Sequence, residues 1–265
     1  MLSDKRLFLL DMDGTIYLGD KIFEGTLDFL KYVKETGGRY VYLTNNSSKG
    51  TDAYIKKLNR LGIEAAADEF FTSADAAIEI LKKERPNEVM YVCGTESLKN
   101  QLRQNGFDVR EKADEDVNLL LLGYDTELTY EKLENCCRLL MRRGSCDYMA
   151  THPDMVCPVP YGFAPDCGSV IEMLKTATGK TPDKIIGKPS PEMAYQAMER
   201  FGCTKAETCL IGDRLYTDIA CAVNAGIDSI FVLSGEGIMS DIEKYDVHPT
   251  YIFNNIKEVL LEIKK

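Results

Sequence analysis

Short apolar runs alternate with helical patterns along almost the whole chain, and this alternation limits the possible folds more than any other feature. The runs at 6–11 (RLFLLD), 40–44 (YVYLT), 89–93 (VMYVC) and 208–212 (TCLIG) are nearly continuous apolar, as strands covered on both faces must be. Further strands are expected at 70–71, 117–124, 147–151, 184–186 and 229–233. Helices are expected between them at about 24–36, 51–61, 73–83, 97–105, 130–143, 169–178, 191–201 and 215–225, with a last one from 254. Strands that alternate with helices build a mostly parallel sheet, so the fold class is α/β.

Two breakers divide the pattern, Arg85-Pro86-Asn87 and the stretch 179–183. They predict a doubly wound, Rossmann-like core domain over 1–84 and 182–265, interrupted by a smaller α/β domain over 85–181. The net charge of −10 argues against nucleic acid or an anionic membrane as the main partner. No apolar run approaches the roughly 20 residues of a membrane span, and the run at 7–10 is too short for a signal-peptide core. The nine cysteines are scattered, without a C-x-x-C pair. They read as reduced, core-filling thiols, and a cytoplasmic setting is expected.

Four motifs each follow an apolar strand. In Asp11-Met12-Asp13-Gly14-Thr15 the carboxylates lie two apart, so on extended backbone they share a face. Such close charges repel, and a divalent cation is the natural remedy; the oxygen-rich set suits magnesium. A calcium loop would need Asp or Asn at 15 and Gly at 16, where Thr15 and Ile16 stand. Thr44-Asn45-Asn46-Ser47 places a hydroxyl and amide donors at a strand-to-helix turn suited to phosphate oxygens. A plain helix cap by Ser47 or Ser48 is the alternative reading. Gly187-Lys188-Pro189-Ser190-Pro191 is a rigid turn that can aim an ammonium at the same sheet edge, although a lone lysine is ordinarily solvated. In Gly212-Asp213-Arg214-Leu215-Tyr216-Thr217-Asp218 one acid can ligate a metal and the other can act through water or hold the lysine. Each acid alone could equally be a helix N-terminal charge.

Together and in this order, Asp11–Thr15, Thr44, Lys188 and Asp213–Asp218 resemble the four motifs of the haloacid dehalogenase (HAD) superfamily, over essentially the whole chain. The stretch 177–193 (ATGKTPDKIIGKPSPEM) is similar to the subclass of 4-nitrophenyl, NagD-type, pyridoxal phosphate and phosphoglycolate phosphatases. The resemblance implies an aspartyl-phosphate on Asp11 and acid/base work by Asp13. It also implies magnesium held by the Asp11 side chain, the Asp13 carbonyl and Asp213, with Asp218 behind them. Thr44, Asn45, Asn46 and Lys188 would bind the phosphoryl oxygens of a small phosphorylated metabolite. Spacing places the cap: only 30 residues separate Asp13 from Thr44, whereas 143 run from Asn45 to Gly187 inclusive. The insertion therefore follows the second motif, as in C2-capped members, and the resemblance makes a homodimer through the cap an expectation.

Two other motifs are excluded. Gly179-Lys180-Thr181 lacks the first P-loop glycine, since 174 is Leu174, and the fingerprint started by Gly235-Glu236-Gly237 meets Ser240. In the cap, Tyr124 and the segment His152-Pro153-Asp154 end neighbouring strands, so Tyr124, His152 and Asp154 are candidates for contact with the leaving group. A packed ring and an ordinary turn are the alternatives for Tyr124 and His152. The expected activity is phosphate monoester hydrolysis. A phosphotransferase using a sugar or nucleoside acceptor is the competing enzyme reading, separable by comparing release with transfer at high acceptor concentration. A non-enzymatic phosphometabolite sensor would show no magnesium-dependent turnover of 4-nitrophenyl phosphate.

Overall fold

The computed structural model of the protein describes residues 1–142, 144, 146–159 and 161–265. The expected end of one helix at Arg143 lies outside the described residues. The chain forms two compact units.

The first unit comprises Met1–Thr44, Ala53–Phe71 and Lys188–Lys265. Its six-stranded sheet has the order Tyr251–Phe253, Asp228–Val232, Thr208–Gly212, Leu7–Leu10, Arg39–Thr44, Phe70–Thr72. The pairings of Leu7–Leu10 with both neighbours, and those outward to Tyr251–Phe253, are parallel. From Leu7–Leu10 the chain builds outward to one edge, then returns beside it with Thr208–Gly212 and builds toward the other. Such a reversal leaves a crevice at the carboxyl ends of the two central strands, where open α/β sheets bind ligands. Leu10 stands opposite Ile211, so Asp11 and Asp213 emerge side by side at this reversal. The core beneath them gathers Phe8, Leu10, Phe29, Tyr42, Phe70, Ile211 and Ile230.

The second unit comprises Asn45–Asp52 and Thr72–Gly187. Its sheet is parallel throughout, in the order Lys184–Ile185, Asp147–Ala150, Leu119–Leu122, Val89–Cys93, Asp108–Arg110. A separate core of Tyr91, Leu120, Leu122, Leu139, Tyr148 and Ile171 supports it. Helix Ser73–Glu84 starts at a reciprocal cap: the Thr72 hydroxyl accepts from the Asp75 amide, and the Asp75 carboxylate accepts from the Thr72 amide. Helix Cys167–Thr178 begins at Asp166, whose side chain accepts from the Cys167 amide, and ends at Gly179 in the left-handed region.

These bounds differ from the sequence expectation of 1–84, 85–181 and 182–265. The Arg85-Pro86-Asn87 breaker joins a helix to a strand inside one unit, so helix Ser73–Glu84 belongs to the second unit. Strand Lys184–Ile185 precedes the lysine motif, which made it read as core. Its only strand partner among the described residues is Asp147–Ala150 of the second sheet, and the Asp183 carboxylate accepts from the Tyr148 amide beside it. Beyond the sequence expectation stand the strands Asp108–Arg110 and Tyr251–Phe253, the hairpins Tyr17–Leu18/Lys21–Ile22 and Val156–Val159/Gly162–Pro165, the helix Asp241–Tyr245 and the 3-10 turns Leu2–Asp4 and Ala67–Glu69. The helix expected over 215–225 starts as a π-turn, Leu215–Ile219, before Ala220–Ala225. Among the described residues no helix is long and apolar enough to cross a membrane.

Candidate active site

The first-unit cluster is built around a buried lysine. Lys188 Nζ lies 2.7 Å from Asp11 Oδ1, 2.6 Å from Asp218 Oδ1 and 3.0 Å from the Leu43 carbonyl. These bonds use all three ammonium protons, so the charge is aimed at the strand ends rather than solvated. Burial alone would make Lys188 easier to deprotonate, but Asp11 and Asp218 prevail and hold it above its ordinary range. Asp218 is committed at both oxygens, since its Oδ2 also accepts from the Arg214 amide at 3.1 Å. The π-turn makes this possible by bringing residue 218 back over the start of its own element.

Asp213 is arranged differently. Its Oδ2 accepts from the Glu236 amide at 2.7 Å, while its Oδ1 is buried with no hydrogen-bond partner among the described residues. Burial, then the charges of Asp11 and Asp218, push its pKa up to about 8. Burial and Asp218 likewise raise Asp11 to about 6, against the pull of Lys188. Donor atoms of Asp11, Asp213 and Asp218 all lie within 4.8 Å of one another. When ionised, these three carboxylates outnumber the one ammonium that pairs with Asp11 and Asp218, and one Asp213 oxygen is orphaned. Hard oxygen donors with that charge excess fit a divalent cation. Gly14 is required beside them: its φ is +93°, and a Cβ there would lie 2.3 Å from Asp213 Oδ2.

Of the sequence candidates, Asp11, Lys188, Asp213 and Asp218 therefore meet in one cluster. Asp13 stands outside that group. Its carboxylate is half exposed and pairs with Lys57 at 3.3 Å, and the Lys57 ammonium also sits over the Tyr17 ring. Thr44 ends the strand next to Asp11, one residue beyond the carbonyl that Lys188 grips.

The other candidates belong to the second unit. The Asn45 side-chain Nδ2 donates to both oxygens of Asp154, at 3.1 and 3.2 Å, and the Asn45 main-chain carbonyl accepts from the Ser73 hydroxyl. Asn46 Oδ1 accepts from the amide and hydroxyl of Ser48, forming a turn. Ser47, read as a possible helix cap, instead contacts the Thr151 hydroxyl at 3.0 Å and accepts from the Tyr124 amide at 3.0 Å. His152 is fully buried, with Nδ1 3.5 Å from Asp154 Oδ2 and Nε2 3.5 Å from Asp166 Oδ1. Burial and the Cys157 thiol hold the Tyr124 phenol above its ordinary range, with Asp166 adding to the shift. The strand ends thus bring His152 and Asp154 together, and they add Asp166 to the group.

Asp166, Lys57 and Glu236 were missed. Nothing local in the sequence singles out Asp166, which caps helix Cys167–Thr178, or Lys57, which lies on helix Thr51–Arg60. Glu236 lay between two glycines, a signal of close backbone approach that was legible but had been weighed only as a nucleotide fingerprint.

A family profile described as haloacid dehalogenase-like hydrolase matches residues 8–108, and a second, HAD-hydrolase-like, matches 185–259. The chain is 34% identical over 264 residues to the acid sugar phosphatase of Staphylococcus saprophyticus, covering 100% of each. The crystal structure of 4-nitrophenylphosphatase from Thermotoga maritima superposes with a TM-score of 0.93 at 39% identity, covering 99% of this chain and 98% of that one. Glycerol phosphate phosphatase from Mycobacterium tuberculosis, in complex with magnesium, has a TM-score of 0.90 at 27% identity, covering 99% of this chain and 79% of that one.

Proposed function

The chain belongs to the haloacid dehalogenase-like hydrolases and is a phosphatase, and from that premise we propose that it hydrolyses sugar or polyol phosphates with magnesium, through an aspartyl-phosphate on Asp11. The carrying observation is Asp11 itself, held at 2.7 Å by a buried ammonium beside the orphaned Asp213 oxygen. The names of the relatives, acid sugar phosphatase and glycerol phosphate phosphatase, support the substrate class.

In the proposed reaction an Asp11 carboxylate oxygen attacks phosphorus in line, and the ester P–O bond breaks. Asp13 gives its proton to the departing alkoxide, then takes one from the water that attacks the same phosphorus and releases Asp11 and inorganic phosphate. The Asp13 carboxylate is half exposed and paired with Lys57 at 3.3 Å, an exposure that suits contact with a leaving group. Lys188 and Thr44 take phosphoryl oxygens, while Asn45 is assigned to its tie with Asp154 and Asn46 to its turn with Ser48. Magnesium held by Asp11 and Asp213, with the Asp13 carbonyl by family resemblance, supplies charge neutralisation for the carboxylate and the phosphoryl group. Asp218, with both oxygens committed, holds Lys188 in place. Nine free cysteines support a reducing, cytoplasmic setting.

The test is turnover of a panel of sugar, glycerol, nucleotide and pyridoxal phosphates, with and without magnesium. Metal-dependent hydrolysis with sugar or glycerol phosphates leading the panel is expected. Equal turnover in a chelator, or nucleotides leading by tenfold, would overturn the metal or the substrate reading respectively.

A further inference from the structure

The geometry points to Glu236 as a positioning residue: its side chain anchors the loop 234–237 so that this loop fixes which oxygen of Asp213 is presented to the metal. The inference rests on the metal reading above and concerns how this chain's own residues prepare for the cation.

Asp213 is held by the loop at two places. Its Oδ2 accepts from the Glu236 amide at 2.7 Å, and its main-chain carbonyl accepts from the Gly237 amide at 3.1 Å. The fit is tight, since a Cβ at Gly235 would lie 2.0 Å from Asp213 Oδ2 and 2.7 Å from Gly14 Cα. Ser234 Oγ extends the contact by donating to the Gly14 carbonyl at 2.7 Å. The loop therefore touches both the metal acid and the turn that follows the nucleophile.

The Glu236 side chain holds the loop in turn. Its Oε2 lies 3.0 Å from Arg214 Nε, and its Oε1 accepts from the Tyr216 hydroxyl at 3.0 Å. Arg214 directly follows Asp213, so the contacts close a ring: Asp213 to Arg214 by chain, Arg214 to Glu236 by the contact of Nε with Oε2, and Glu236 back to Asp213 by its amide. Glu236 is 43% exposed, and an ion pair so placed adds little to global stability. Its value is orientation. A carboxylate free to rotate offers either oxygen, whereas this one has Oδ2 occupied and Oδ1 ready. Groups that orient a metal ligand from behind commonly change affinity by about 10- to 100-fold.

The experiment measures magnesium binding to the full chain without substrate, by calorimetry and by the magnesium concentration at half-maximal thermal stabilisation. Glu236→Ala should weaken binding by about tenfold, with the melting temperature of the metal-free protein nearly unchanged. Glu236→Gln keeps an acceptor for Tyr216 and should stay within about threefold of the parent. Tyr216→Phe removes one of the two anchors, keeps its packing on Tyr245, and should fall between. Asp20→Ala, which breaks a remote exposed pair with Arg60 in the same unit, should have no effect. At saturating magnesium the KM for a phosphate ester should be unchanged in Glu236→Ala. A midpoint within twofold of the parent for Glu236→Ala would overturn the inference. So would a Glu236→Gln as weak as the alanine variant, which would make the effect one of charge, or an equal shift in Asp20→Ala. If the parent itself shows no saturable magnesium response, the metal reading fails and takes the inference with it. A normal parent with an unshifted Glu236→Ala removes the inference alone.

Discussion

Both units place a group of acids at the carboxyl ends of parallel strands, yet the two groups are balanced differently. In the first, Asp11 and Asp218 hold one ammonium, Asp213 lies within 4.8 Å of both, and one of its oxygens is left over. In the second, Asp154 and Asp166 flank the imidazole of His152, and Asn45 satisfies both oxygens of Asp154. An acidic cluster is therefore not in itself evidence of a metal or of catalysis. What separates the two is the residual: an uncompensated charge with an orphaned oxygen in one, and a group tied into its neighbours in the other. In the proposed function the first is assigned to chemistry on the phosphoryl group and the second to contact with the leaving group.

Asp11→Asn gives the most severe test of that division. An amide is a poor nucleophile of nearly the same shape, so turnover of 4-nitrophenyl phosphate should fall by at least about a thousandfold while ester binding persists. Activity within tenfold of the parent, in protein verified free of deamidation, would remove Asp11 as nucleophile. Asp213→Asn should raise the magnesium needed for half-maximal activity by more than the roughly tenfold expected for the group behind it, because it weakens a direct ligand. An unchanged titration would move Asp213 out of contact with the cation.

The second cluster should respond in another way. His152→Ala is expected to change the ranking of sugar, glycerol and nucleotide phosphates by about tenfold, a difference of roughly 1.4 kcal/mol between substrates. Hydrolysis of 4-nitrophenyl phosphate, which needs little leaving-group recognition, should change little. A uniform loss on every ester would make His152 a folding residue, and an unmoved ranking would take it out of specificity.

The smallest effect concerns pH. In metal-free protein Asp213 is raised to about 8 and Asp11 to about 6, from 3.8 in the unfolded chain. The folded state thus holds protons that the unfolded state has released. The stability tied to these groups is fully present below about pH 4 and is lost as pH rises through 6 and then 8. The metal-free melting temperature should fall by roughly 5 °C between pH 5 and pH 8. Magnesium should remove most of that fall, since a bound cation takes over the work of the protons. A metal-free protein equally stable at both values would show that the residual charge is already compensated.

Much of this was legible in the sequence because the signals were local. The strands before Asp11 and Asp213 are continuous apolar runs that end in acids, and Val89–Cys93 and Thr208–Gly212 were bounded correctly. Lys188 was legible through its rigid turn. Elements of two to four residues, such as Lys21–Ile22 and Val156–Val159, are too short to carry periodicity. Where the chain changes units was equally hidden, since pairing between distant segments, as between Lys184–Ile185 and Asp147–Ala150, leaves no local trace. The partnership of Asn45 with Asp154 spans 109 positions and could not be read from either residue's neighbours.

The segment Asn45–Asp52 has a consequence for anyone who would transplant the second unit. An excision at 72 and 187 looks clean along the chain, but it would leave this octapeptide behind. The Tyr124 amide and the Thr151 hydroxyl would lose Ser47, the Thr95 hydroxyl would lose the Ser48 carbonyl, and Asp154 would lose both bonds from Asn45. The second unit is therefore not a cassette with two seams. A chimaera that exchanges it between relatives must carry two pieces, the long insert and the short loop that follows Thr44, taken from the same donor.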